Sequence, residues 1–256
     1  AKEDCPVLGV VHKSYTPLQN KEAFGFFDPI VGEKAAVYHT AGVLRDGERI
    51  WLLAKLPEPI VVVGDDVADK YLLLSNSHDG KSAVQIKFTP VRVVCNNTLT
   101  LALSDGPTIR VVHGRNMQEQ LREARRVLGI VEKGFKNLAT AFQAMCKVSL
   151  DSAKLDEYLA AVYPAPNDPD DPKAAKRVQE NRQWSRYFFE QGAGNNRRGV
   201  QGTLWAAYNG VTEWVDHRKL KRTDERRLES VWFGDGYFVK ARALRIARAT
   251  LGAAAS

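Results

Sequence analysis

An α+β fold, with an antiparallel sheet in the first half and helices behind it, follows from three features of this 256-residue chain. Apolar runs with a period of two flank Asp-Gly turns through the front of the sequence. From Met117 onward the apolar period changes to alternating steps of four and three. A stretch rich in proline and aspartate then precedes helically patterned segments with a strong basic excess. The composition, 44% hydrophobic and 26% charged, is that of an ordinary globular protein. No run approaches the ~18 apolar residues that a membrane span requires.

The strands come first. Val37 to Leu44 and Arg49 to Leu56 flank Arg45-Asp46-Gly47-Glu48, a hairpin signal because Asp-Gly accommodates the positive φ of tight turns. Tyr71 to Asn76 and Ala83 to Phe88 repeat this pattern around His78-Asp79-Gly80. Ile60 to Val63 and Thr108 to His113 add two short strand candidates. Ahead of them, Asn20 to Val31 reads as a helix with Phe24, Phe27 and Ile30 on one side, interrupted by Pro29.

Met117, Leu121, Ala124, Leu128, Val131, Phe135, Leu138, Phe142 and Met145 form an unbroken apolar seam. Asn116 and Glu119 have the spacing of a capping box. A helix over most of 117–145 is therefore predicted, although Gly129 and Gly134 cost about 1 kcal/mol each relative to alanine. The seam is expected to pack on the chain's own sheet; pairing with a second copy is the alternative, and homo-oligomerisation stays open.

Pro164-Ala165-Pro166-Asn167-Asp168-Pro169-Asp170-Asp171-Pro172 cannot continue a helix. The expected organisation is thus a sheet with the long helix at 1–163, a linker at 164–172, and a basic helical region at 173–256 packed on the first part. Within that region helices are predicted to about Gln191, from Thr203 to Arg218, and from about Tyr237 to Leu251. From Lys173 to the end there are 17 Lys or Arg against 8 Asp or Glu, which leaves the rest near neutral. A basic segment on a neutral body suits a polyanion, because cations that neutralise phosphates release condensed counterions. Nucleic acid is the expected partner, single-stranded DNA foremost.

Cys5, Cys95 and Cys146 form no CxxC pair, which argues against a local zinc knuckle and against a disulfide framework. The opening Ala1-Lys2-Glu3-Asp4 has no signal-peptide pattern. A cytoplasmic protein without metal or cofactor is the expectation.

Three segments carry candidate chemistry. The loop Gly192-Ala193-Gly194-Asn195-Asn196-Arg197-Arg198-Gly199 lacks the Gly-Lys-Ser/Thr ending of a P-loop, yet its paired arginines suit a phosphate backbone. With Arg218, Lys219, Lys221 and Arg222, Arg197 and Arg198 make the predicted nucleic-acid surface. On a helix through Thr203 to His217, Asn209, Glu213 and Asp216 share a polar stripe between apolar flanks. The favoured reading is a buried structural network closed by Arg92, Asn96 and Asn97. The alternative is a metal or general acid/base site of Glu213, Asp216 and His217, hence an enzyme acting on nucleic acid. Cys95 reads as a small buried thiol. Trp214 or Tyr237, if exposed, is placed to stack on bases. A host-directed protein-interaction factor, its charge facing an acidic partner, is the remaining class.

Several stretches resemble phage- and plasmid-encoded proteins grouped as a domain of unknown function. Leu8-Gly9-Val10-Val11 through Tyr15-Thr16-Pro17 and Asn20 is similar to the opening of that family. Thr40-Ala41-Gly42, Arg49-Ile50-Trp51, Asn76-Ser77-His78-Asp79-Gly80 and Pro90-Val91-Arg92-Val93-Val94-Cys95-Asn96-Asn97-Thr98-Leu99 resemble its middle. Gly202-Thr203-Leu204-Trp205, Tyr208-Asn209, Thr212-Glu213 and Asp216-His217 resemble its end, followed by Phe233-Gly234 and Lys240. The resemblance implies a mobile-element setting and no mechanism. In layout alone, a hairpin-rich sheet followed by a long helix and basic elements is similar to single-strand annealing proteins of the Rad52 type.

Overall fold

The computed structural model describes residues 8, 19–25, 28, 31, 34–78, 85–95, 97–98, 117–218 and 223–254. Its strands are β1 (Val37–Leu44), β2 (Arg49–Lys55), β3 (Ile60–Val63), β4 (Asp66–Ser77), β5 (Gln85–Arg92) and β6 (Asn97–Thr98). They form one sheet in the order β1-β2-β4-β5-β6, with β3 also paired to β4. The helices are α1 (Asn20–Gly25), α2 (Met117–Met145), α3 (Ser152–Val162), α4 (Pro172–Gln191), α5 (Leu204–Glu213), α6 (Asp224–Trp232) and α7 (Asp235–Ala254). The α+β expectation holds, sheet first and helices after. None of the described helices is long and apolar enough to cross a membrane.

The chain divides into two compact units. The first comprises Ala1–Glu58, Lys70–Thr89 and Gly106–Gly134; the second comprises Pro59–Asp69, Pro90–Asp105 and Phe135–Ser256. In the first, β1 and β2 pair from Val37↔Lys55 to Leu44↔Arg49 around the expected turn, where Arg45, Asp46 and Gly47 all have positive φ. Gly42 lies beneath Trp51, and a Cβ there would come 2.6 Å from the indole, so the strand interior needs glycine. β4 starts earlier than the Tyr71 of the sequence reading, and its Leu72, Leu73 and Leu74 are all buried, as in a strand covered on both faces. On α1, the Asn20 side-chain oxygen accepts from Asn76 Nδ2 (3.0 Å) and lies 2.9 Å from His78 Nε2. The strand expected at Thr108 to His113, the cap at Asn116, the Asp79-Gly80 turn and most of the helix expected through Val31 lie outside the described residues.

The predicted 29-residue helix α2 runs unbroken through both glycines. In the second unit its seam meets α5, with Phe142 4.5 Å from the Trp205 ring and 6.3 Å from Tyr208, while Gln143 Nε2 of the same helix donates to the Val61 carbonyl of β3 at 2.9 Å. Helix α5 is buried along its whole length, all ten residues included. It is pressed against α4 at Gly210, where a Cβ would come 2.6 Å from the Ser185 carbonyl.

Two helices were not read from the sequence. Helix α3 has Asp151 as its N-cap, accepting from Lys154 N, and buries Leu155, Tyr158, Leu159 and Val162 at helical spacing. That signal was present between the long seam and the proline stretch. Helix α6, capped by Thr223, spans nine residues and buries only Val231 and Trp232, so the helical spacing of Leu228, Val231 and Trp232 is a short signal. The proline segment turns the chain from α3 into α4, with Asp171 as N-cap and Pro172 in the first turn. Across that turn Arg182 donates to the Tyr163 carbonyl, and Tyr163 OH lies 3.0 Å from Ser185 Oγ.

Buried polar network and candidate nucleic-acid interface

Arg92 ends β5 inside the second unit, fully buried, and its donors are all engaged. Nε and Nη2 reach the Asp66 carboxylate at 2.8 Å each, Nη1 reaches Asn195 Oδ1 (2.9 Å) and the Ala193 carbonyl (3.2 Å), and Nη2 also reaches the Gly194 carbonyl (3.1 Å). Trp205 on α5 completes the carboxylate shell, its Nε1 donating to Asp66 Oδ2 at 2.8 Å. A buried charge pair survives only when its remaining donors and acceptors are satisfied, and this one is. Nearby, burial pushes the Cys146 thiol up to about 12, Asp66 adding to the shift and Arg92 opposing it. A thiol held protonated in this way is a poor nucleophile. Cys95 is half-buried rather than sealed.

The glycine-rich loop is fastened to that network and is not a free phosphate cradle. Asn195, fully buried, donates to the Phe188 and Ala206 carbonyls, tying the loop to the end of α4 and the start of α5. Gly194 has φ +76, and a Cβ there would come 2.7 Å from Val94 and 3.1 Å from Arg92 Nη2. Arg197 is half-buried and turned back onto Asp65, 3.1 Å from both its carbonyl and its carboxylate. Arg198 alone of the pair is exposed without a side-chain partner among the described residues.

The polar stripe is buried as expected, but its members face different partners. Asn209 Nδ2 donates to the Trp205 carbonyl one turn back (2.8 Å). Glu213 accepts from the Ala193 backbone amide at 3.0 Å, so it holds the loop. Helix α5 then widens into a π-turn at Trp214–Arg218, which breaks the 100° progression the stripe assumed. Within that turn Asp216 accepts from Thr98 N (2.7 Å), Thr98 Oγ1 (2.6 Å) and Lys240 Nζ (2.7 Å). Burial pulls the Lys240 ammonium below its usual range, against the stabilising charge of Asp216. His217 is exposed and joins neither carboxylate. No three His, Cys, Asp or Glu side chains among the described residues come together as a metal-binding group. Of the predicted network, Arg92 pairs with Asp66 instead of with the α5 stripe; Asn96 and the side chain of Asn97 lie outside the described residues. Asp66 escaped the sequence reading because Gly64-Asp65-Asp66 looks like turn chemistry.

A family model described as Domain of unknown function (DUF932) matches residues 7–232. The chain belongs to the DUF932 family. No curated relative and no solved structure matches it. The DUF932 match takes in Asp66, Arg92, the 192–199 loop and Asp216, and it ends before Lys240 on α7.

The outer surface of the DUF932 chain's second unit carries the remaining candidates. Lys173, Arg177, Arg198, Arg226, Arg245 and Arg248 are exposed, and none has an ion pair or hydrogen bond through its side chain among the described residues. The Arg218 side chain, Lys219, Lys221 and Arg222 lie outside the described residues. Tyr237 is half-buried, and burial pushes its hydroxyl up. Trp214 stacks on Trp184 of α4, ring centroids 5.5 Å apart at 10°, and donates from Nε1 to Asn181 Oδ1 (2.9 Å). Trp184 and Tyr187 are 45% and 50% exposed. Neither was singled out in the sequence, where a helix at Pro172–Gln191 gives no sign of which aromatics face outward.

Proposed function

We propose that this protein binds nucleic acid without catalysing a reaction on it, with single-stranded DNA as the ligand and recombination or replication in a mobile element as the setting. The observation that carries the reading is the set of exposed cations on the second unit, Lys173, Arg177, Arg198, Arg226, Arg245 and Arg248, none engaged by a carboxylate among the described residues. Cations left facing water keep their full attraction for phosphate, whereas ion-paired ones lose it. The contrast with Arg92 and Lys240 supports this: the basic residues that hold the fold are buried on Asp66 and Asp216. The setting rests on the resemblance to phage- and plasmid-encoded chains. Against the enzyme alternative, Glu213 and Asp216 are committed to the Ala193 amide and to Thr98 with Lys240.

The test is binding of labelled single- and double-stranded oligonucleotides across a salt series. Association that weakens linearly on a log–log salt plot, tighter for the single strand, is expected. No binding at low salt, or a salt-independent signal, refutes the reading and leaves a protein partner as the use of the charge.

A further inference from the structure

We infer that the Trp184–Trp214 stack is a base-stacking subsite that takes unpaired nucleobases. The inference rests on the nucleic-acid reading and goes further, because it assigns a place and a chemistry to single-strand preference. Trp184 remains 45% exposed although Trp214, Tyr187 and Phe188 all contact its ring. Large aromatic surface left open beside its own stacking partners is a platform that another π-face can extend. Every base has such a face, but only an unpaired strand presents it without breaking a duplex.

Charge on the same helix face selects this occupant over an apolar one. Arg177 precedes Trp184 by seven residues and Lys173 by eleven, so at 100° per residue both lie within about 20° of its line along α4. Arg177 is roughly 10.5 Å from Trp184 along the axis, at a rise of 1.5 Å per residue. Lys176 stands beside them, 4.0 Å from Glu180, the one carboxylate on this line. Cations in line with stacked aromatics are what a strand needs, its backbone tracking the charge while its bases turn to the rings.

The platform is also held in place. Trp214 is fixed to α4 by its bond to Asn181, and two residues on, at the opposite side of the π-turn, Asp216 is anchored by Thr98 and Lys240. Rings set in advance lose little freedom on binding.

The test is titration of labelled oligo-dT and of a duplex of equal length into the full chain and its Trp184→Ala, Trp184→Leu and Trp184→Tyr variants. Trp184→Leu keeps an apolar cover over Trp214 and removes the π-face, so a fold defect in Trp184→Ala does not decide the outcome. Loss of roughly 10- to 100-fold in oligo-dT affinity is expected for Ala and Leu, with near-recovery in Tyr. Duplex binding and the salt slope should stay as in the parent. Parent-like oligo-dT binding by Trp184→Leu overturns the subsite while the nucleic-acid reading stands. Equal loss on both ligands overturns it too, since stacking then confers no strand preference. If the parent binds neither ligand, both readings fall together.

Discussion

Asp66 and Arg92 meet across 26 residues of sequence, with Arg92 Nε 2.8 Å from Asp66 Oδ1 and neither side chain more than 1% exposed. One arginine thereby joins the β3–β4 turn, the end of β5, the loop after α4 and, through Asp66, Trp205 on α5. Removing one member leaves a buried charge without compensation. Arg92→Met should cost about 3–5 kcal/mol in urea denaturation. Adding Asp66→Leu should recover part of that loss, but not the bonds to Ala193, Gly194 and Asn195. A single variant as stable as the parent would contradict the network's role.

Glu213 holds the same loop by its backbone. Glu213→Ala removes the acceptor of the Ala193 amide and should lower stability by roughly 1–3 kcal/mol, and Glu213→Gln, which keeps an oxygen there, should cost less. Thermal melting separates the two. A parent-like melt combined with loss of a nucleic-acid activity would return Glu213, Asp216 and His217 to consideration as a catalytic group.

The two loop arginines should behave differently. Arg198→Glu leaves the fold intact, weakens oligonucleotide binding and makes the salt slope shallower by roughly 0.7 for each lost single-strand phosphate contact. Arg197→Glu sets a carboxylate against Asp65 and should lower the melting temperature as well. Identical melts and slopes for both variants would refute the distinction.

In the first unit, burial and then the nearby charge of Arg49 pull Lys87 down to about 8. Between about pH 8 and the ordinary lysine value near 10.4 the unfolded chain holds a proton that the folded chain has released, so stability rises with pH through that window. The urea midpoint of the parent should climb relative to Lys87→Met from pH 8 to 10. A constant difference between the two would mean that Lys87 titrates normally.

Local chemistry alone determined much of this protein. The β1–β2 hairpin was legible because Asp46-Gly47 sits between alternating runs, and α2 because its seam persists over four heptads despite Gly129 and Gly134. Burial of Asn209 and Glu213 followed from their apolar flanks. The basic excess after Lys173 was plain in the counts. Tertiary structure decided the partners. Asp66 became the counterion of Arg92 only because the β3–β4 turn is brought beside the end of β5. Asp216 left the Asn209–Glu213 stripe because a π-turn, set by long-range bonds to Thr98 and Lys240, overrides the helical period. Trp184 and Tyr187 emerged as an outward face only once Gly210 had let α5 pack against the other side of α4. Sequence patterns report a residue's own neighbours along the chain; which face stays open, and which charge is left over for a ligand, depends on what the fold places opposite.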